Sequence, residues 1–344
     1  MVWFRLRAPR ASIERPRVVV VTGASSGIGR ASALKLARSG FRVFAGVRKE
    51  EDGEALEEVA LAGRLTPLFI DVSDPGLIAS AARNVEAAVG EAGLAGLINN
   101  AGIGEAWPLE YVPLDELRRQ IEVNVVGHLA VTQAFLPLIR AAKGRIVNVG
   151  SVGGRITMPF GGTLSAPRHA LVAVNDALRM ELYPWGIHVA LIEGGSISTR
   201  AVDKLEAAAE ATIDELPVAG RARYADAYRT AVARAVARTR AGSSPEVVAE
   251  AVLRALTEPT PKTRYPVGAD ARVLLALSEV LPDRLLDRVR FRVFGLHGKF
   301  GACRADRPHG RRRTSASRGG GLGRGEGHRK VASLEGAGGV GQDA

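Results

Sequence analysis

VVVVTGASSGIGRASALKLARSG, residues 18–40, changes period within one short stretch. Four successive valines suit a strand buried on both faces, because β-branched side chains pack well on a pleated surface and no polar position alternates with them. The Ala/Leu-rich run after it reads as a helix. Between the two stand Gly23, Gly27 and Gly29. Glycines there permit a tight turn and close backbone approach. A helix N-terminus offers free amides and a partial positive charge, so the stretch predicts a cradle for a pyrophosphate. Its position after a strand, at the start of a helix and in the first βαβ unit is the context such a cradle requires.

Outward from this stretch, β-branched runs alternate with longer helical ones. Strands are predicted at 17–23, 42–47, 65–71, 94–102, 144–151, 186–193 and 263–268. That alternation predicts an α/β chain with a doubly wound, Rossmann-like parallel sheet of about seven strands and helices on both faces. From Leu114, the residues Leu117, Ile121, Val125, Leu129 and Leu136 keep one apolar stripe, expected to face the sheet. Residues 200–257 read as helices with no strand between them and are expected to cap a substrate site. The stretch 270–296 ends in a basic amphipathic helix, expected to pack back on the body, with a peripheral membrane contact left open.

The 344 residues carry a formal charge of +11, but the charge is uneven. Residues 1–17 carry +4 and residues 297–344 carry +6, leaving +1 for the body. A globular nucleic-acid-binding face is therefore not expected, nor is specific nucleic-acid binding. Thirteen of the 40 glycines fall in the last 48 residues, where almost no apolar period remains, and a disordered tail is expected there. The predicted organisation is thus a basic N-terminal extension (1–16), one nucleotide-binding domain (17–296) and a Gly/Arg-rich tail (297–344). Only one cysteine is present, Cys303, which excludes an intramolecular disulfide and a Cys-based metal site, and a cytoplasmic setting is expected. The first residues lack the apolar core of a signal peptide, and no run of about 18 apolar residues occurs, so a soluble chain is expected.

The loop spacing is T-G-x-x-x-G-x-G. With "NNAG" (99–102), Asp71 and Val72 after the third strand, Asn124 in "VNVVG" and Ser151 in "NVGSVGG", the chain resembles the short-chain dehydrogenase/reductase family from about residue 17 to 296. The forms "GSVGG" and "HALVAVNDALRMEL" are similar to its steroid and retinoid dehydrogenase branch. The resemblance implies hydride transfer between a nicotinamide cofactor and a lipophilic alcohol or ketone, and relatives that pair as homo-oligomers. It places the cofactor on Gly23, Ser25, Ser26, Gly27, Ile28, Gly29, Arg48, Asp71, Val72, Asn99, Ala101, Gly102, Arg168 and Thr199. Asp71 would hold the adenine edge, and Asn99 would hold strand and cofactor together. At the end of the second strand Gly46 and Val47 offer no carboxylate and Arg48 comes next, so NADP is preferred over NAD.

The family's catalysis uses a tyrosine with a lysine four residues on, which lowers the tyrosine's pKa from near 10. A serine steadies the substrate oxygen, here Ser151, and an asparagine anchors a water relay, here Asn124. Thirteen residues past Ser151, the family's interval, stands Leu164, and four further stands Arg168. Where the family reads Y-x-A-S-K, this chain reads "LSAPR". Leucine has no ionisable proton, and a guanidinium does not relay one. A catalytically impaired cofactor-binding protein is therefore the alternative to an active oxidoreductase. Pro167 implies a helix starting near Ser165 or Ala166, because proline suits only the first turn. Gly194 and Arg200 replace the family's prolines after the sixth strand, which is expected to loosen that loop. Ser165 and His169 stand four apart as a hydroxyl with a base, but on a face rotated by about 100° from the family's.

Overall fold

The computed structural model describes residues 17–61 and 63–296. The expectations for 1–16 and 297–344, Cys303 among them, lie outside the described residues. The strands are β1 (Val18–Val21), β2 (Arg42–Val47), β3 (Leu65–Phe69), β4 (Gly96–Asn99), β5 (Arg145–Ser151), β6 (His188–Gly194) and β7 (Arg264–Val267). They form one parallel sheet in the order β3-β2-β1-β4-β5-β6-β7. Each predicted run holds a strand. The longest cut is in 94–102, where the chain leaves β4 after Asn99 to enter a loop.

The helices α1 (Gly27–Arg38), α2 (Glu50–Glu57) and α9 (Pro245–Thr257) cover one face of the sheet, with Leu36, Leu56, Val248 and Val252 buried. On the other face lie α3 (Pro75–Val89), α5 (Gly127–Ala142) and α6 (Gly162–Glu181). α3 begins on a well-made cap, Asp74 accepting from the amides of Gly76 and Leu77 with Pro75 at the first position. The remaining helices are α4 (Leu114–Ile121), α7 (Arg200–Glu215), α8 (Val218–Arg240), α10 (Ala271–Val280) and α11 (Asp283–Val293). α7 and α8 pair through Val202, Ala209, Ile213, Tyr228 and Val232. They form the expected cap, whereas α9 packs on α1 instead. α11 folds back on the body, burying Leu286, and the turn after it buries Phe294 and Leu296.

The stripe from Leu114 to Leu136 is only in part the buried one: Leu117, Val125, Leu129 and Leu136 are half-buried, Leu136 against the core. Leu114 and Ile121 are 61% and 38% exposed, while Val131, Thr132, Phe135 and Ile139 are buried. The reason lies in a π-helical turn, Glu122–Val126, between α4 and α5. Its extra residue rotates α5 relative to α4 by about 100°, so no single 3.6-residue period runs through the segment. The continuous run Leu114–Ala142 is, among the described residues, the one helix long and apolar enough to cross a membrane by length and composition. Its second half is core, packed against the sheet and α3.

A chain of buried amides ties these layers together. Asn99 Nδ2 donates to Thr132 Oγ1 on α5 and to Asn148 Oδ1 on β5, each at 2.9 Å. Asn148 Nδ2 donates in turn to Asn175 Oδ1 on α6 at 3.0 Å. All three asparagines are buried, so each lost bond strands a desolvated group. Asn148→Ala is expected to lower unfolding free energy by on the order of 2 kcal/mol or more, and urea titration with an unchanged m-value is the check.

Candidate functional site

In an open parallel sheet, ligands bind where the strand order reverses, outside the carboxyl ends of the strands. Here that crevice lies between β1 and β4. Thr22 closes its base, its Oγ1 accepting the amides of Asn100 at 2.9 Å and Ala101 at 3.1 Å. Asn100 Nδ2 donates back to the carbonyls of Thr22 and Gly23. Gly23 and Gly27 adopt φ of 65° and 55°, open to glycine at no steric cost. A Cβ on Gly29 would lie 2.1 Å from the Gly23 carbonyl oxygen, and one on Gly23 would lie 2.8 Å from Ala101 Cα. Ser26 precedes α1 in extended backbone and its hydroxyl makes no capping bond, so the first amides of α1 remain for an anion. Ser25 and Ile28 flank it on the same loop and first turn.

The other cofactor positions divide. Thr199 sits over the loop, 3.4 Å from where a Gly27 Cβ would be. Asp71 accepts from the Ser73 amide and hydroxyl, and Arg48 approaches its other oxygen at 3.8 Å. Burial opposes ionisation of Asp71, but the Ser73 bonds and Arg48 together hold its carboxyl below the ordinary range. Val72 is buried, with its carbonyl against Gly127. Asn99 holds its strand as expected, wholly buried beneath the crevice with bonds to α5 and β5, and Asn100 ties the loop above it. The doubled asparagine of "NNAG" carried that signal. Gly102 lies against Asn124, whose Oδ1 accepts from the Ile103 amide at 3.0 Å and whose Nδ2 donates to the Ile103 carbonyl at 2.9 Å. The π-helical turn aims Asn124 at that segment, and its amide is already engaged there.

Beyond β5, Ser151 Oγ donates to the Gly194 carbonyl and accepts from the Gly153 amide, both at 3.1 Å. Leu164 fills the space left by Gly104, where a Cβ would lie 2.5 Å from Leu164 Cδ2, and joins the apolar cluster under α7 and α8. Arg168 Nη1 donates to the Leu164 carbonyl. The helix start is a correction: α6 begins at Gly162, with Leu164 already its third residue and Pro167 inside it. Phe160 at φ 60° turns the chain, Ser165 N bonds the Gly161 carbonyl, and Thr163 Oγ1 donates to the Glu105 carbonyl. These bonds carry the helix through the single one Pro167 removes. Ser165 and His169 form no hydroxyl–base pair, because His169 Nδ1 meets the Ser165 main-chain carbonyl at 2.9 Å.

The loop after β6 is held rather than loose. Gly195 N bonds the Val267 carbonyl, and Ser198 N and Ser243 N reach across to Ser243 and Ser196. Asp270 accepts from Ser196 N and Oγ at 3.0 and 2.6 Å and pairs with Arg238 at 3.3 Å. These bonds supply the restraint that the missing prolines do not. Residues 151–168, this loop and the α7, α8, α10 and α11 helices enclose a cleft of about 280 Å³ whose walls are mainly apolar.

A family model described as short chain dehydrogenase matches residues 17–210. The chain is 36% identical over 277 residues to retinol dehydrogenase 5 of Mus musculus, a match covering 79% of this chain and 86% of that protein. It belongs to the short-chain dehydrogenase family. Its relatives place it in the steroid- and retinoid-dehydrogenase-like branch. A short-chain dehydrogenase from Streptomyces avermitilis has the same fold, with a TM-score of 0.64, 27% identity and coverage of 82% of this chain and 96% of that one. One from Burkholderia cenocepacia J2315 in complex with NADP gives a TM-score of 0.61 at 26% identity, covering 80% of this chain and 97% of that one.

Within this short-chain dehydrogenase, sequence reasoning missed Thr22, Asn100 and the Asp270 clamp, the last because nothing local in "GADA" announces a partner 74 residues away. Burial resists ionisation of Asp270, yet the Ser196 bonds and Arg238 hold its carboxyl below the ordinary range. A carboxyl lowered by folding contributes stability that is complete above its unfolded pKa of about 3.9 and is lost as pH falls through the folded value. The melting-temperature difference between the wild type and Asp270→Asn is expected to stay constant from pH 7 to about 5 and to shrink only below about 4, read by thermal melts across that range.

Proposed function

We propose that this member of the short-chain dehydrogenase family binds NADP(H) in the β1–β4 crevice, faces a steroid- or retinoid-like alcohol or ketone in the adjoining cleft, and has lost the family's usual proton transfer. The fit of a dinucleotide rests on the cradle: glycines whose added Cβ would strike backbone, and an α1 N-terminus with free amides. Gly23, Ser25, Ser26, Gly27, Ile28 and Gly29 would hold the pyrophosphate, Asp71 and Val72 the adenine, and Ala101, Gly102 and Thr199 the nicotinamide half. Arg48, mostly exposed at the end of β2 and loosely paired with Asp71, favours a 2′-phosphate. The NADP complex of the Burkholderia cenocepacia protein supports that choice. When bound, the cofactor supplies or accepts the hydride.

What this chain's residues do beside it is limited. Ser151 can orient a substrate oxygen, and Asn124 can hold the Ile103 backbone and a water. A proton must still move at that oxygen, and Leu164 has none to move. The observation that carries the proposal is the pairing of Leu164 packed on Gly104 with Arg168 bonded to the Leu164 carbonyl. The place of an acid is filled with hydrocarbon. A second reading, an active oxidoreductase, is favoured by the retention of Ser151 and Asn124.

Fluorescence titration of NADPH and ketone-reduction assays distinguish the two. The wild type and Leu164→Tyr/Pro167→Ser/Arg168→Lys are expected to bind NADPH alike, with turnover in the repaired protein higher by about 10²- to 10⁴-fold. Robust wild-type turnover would establish the second reading, and absent NADPH binding would remove both. We further propose that the exposed apolar face of Leu114, Ile121 and Val126 is covered in a homo-oligomer. Ile121→Asp is expected to shift sedimentation to the monomer, whereas an unchanged wild-type monomer would refute the pairing.

A further inference from the structure

The cleft beside Ser151 has an uneven charge. Leu205, Val232, Leu277, Leu286, Val293 and Phe294 give it hydrocarbon walls, and its charged lining is Arg168, Arg238 and Arg290 with no aspartate or glutamate. Arg238 is answered from outside the cleft by Asp270 at 3.3 Å, and Arg290 by Asp287 at 2.9 Å. Arg290 Nε is nevertheless buried without a hydrogen-bond partner among the described residues. Arg168 has no carboxylate within salt-bridge distance among the described residues, and its bond to the Leu164 carbonyl uses one of its five N–H donors. Its side chain is partly open, since it lines the cleft. The surrounding protein still pushes the guanidinium below its ordinary pKa with no anion to offset the burial.

An uncompensated guanidinium in an apolar cavity is costly, because the charge is desolvated and unpaired. A planar fork with free donors matches a carboxylate in two-point contact. Arg168 also stands next to the position that orients substrate. A Cβ on Gly153 would lie 3.3 Å from Arg168 Cδ and 3.5 Å from Ser151 Oγ. A neutral alcohol or ketone would leave that charge unanswered.

We propose that the cleft takes a lipophilic carboxylate, its hydrocarbon chain along the apolar walls and its carboxylate paired with Arg168 beside Ser151. The inference takes from the proposed function only the place of this cleft beside the cofactor, and it replaces that reading's neutral alcohol or ketone with an anion. Replacement of a lysine by arginine and of a tyrosine by leucine converts a proton-transfer site into a head-group site for an anion. No bond is made or broken in this binding.

The test is calorimetric titration of the wild-type protein with decanoate, decanol and methyl decanoate, with and without NADPH, repeated on Arg168→Met. Decanoate is expected to bind at least tenfold more tightly than either neutral analogue, and Arg168→Met is expected to abolish that preference. Equal binding of the three in the wild type, which needs no variant to fold, would overturn the proposal, as would an undiminished preference in Arg168→Met. The NADPH arm keeps the two readings apart. NADPH binding without carboxylate preference refutes this inference alone, and carboxylate preference without NADPH binding refutes the cofactor reading alone.

Discussion

Thr22 Oγ1 accepts two amides from the loop after β4, and Asn100 returns two bonds to the loop after β1. That junction holds two backbones so close that Gly29 and Gly23 have no room for a Cβ. The remaining geometry depends on it. The closed base fixes where α1 begins, and hence where its free amides point. It also fixes the path from Gly102 to Gly104, which Asn124 grips at Ile103 and which leaves the gap at Gly104 that Leu164 fills. Leu164, which also lines the apolar cleft, thus joins that cleft to the loop beside the β1–β4 crevice.

Much of this was legible from local chemistry. The central strands announce themselves because runs such as Val18–Val21 are β-branched and, from Val19 on, buried from both faces, and the phosphate loop because its glycines are needed for backbone approach. The features that were not legible depend on partners far along the chain. The buried stripe of α5 is rotated from the one in the sequence because a π-helical turn resets the phase at Glu122–Val126. The start of α6 is set by Glu105, Gly161 and the turn at Phe160 rather than by Pro167. Asn99 and Asn100 are alike in sequence, and only the sheet decides that the first is buried under the crevice and the second faces it. The loop after β6 reads as loose because two prolines are missing, yet its restraint comes from Asp270, Ser243 and Val267.

The cap and the chemical site are coupled through hydrocarbon. Leu164 belongs to the cluster that contains Ala106, Val202, Tyr228 and Val232, and Phe160 meets Tyr224 and Tyr228 edge-on with centroids 6.1 and 5.5 Å apart. Tyr228 spends its hydroxyl on the Ala106 carbonyl, so its ring is free to pack. An apolar residue at position 164 strengthens this contact between α6 and the α7–α8 pair. A tyrosine there would have to place a hydroxyl into the same space or turn it to the cleft. Leucine at this position therefore contributes packing between α6 and the α7–α8 pair.

Ser151 and Asn124 do not argue for turnover as strongly as their positions in the family motif suggest. Each has structural work that would preserve it in a chain without chemistry. Ser151 Oγ bridges the Gly194 carbonyl of β6 and the Gly153 amide, so its loss would free the turn that leads to the cleft. Asn124 satisfies both polar groups of the Ile103 backbone, a pairing that a smaller or apolar residue would leave open at a partly buried site. Leu164 and Arg168 have no such double role to explain them as survivors. Leu164 suits the fold through its packing under α7 and α8, whereas Arg168 brings into the cleft a charge that no carboxylate of the described residues answers.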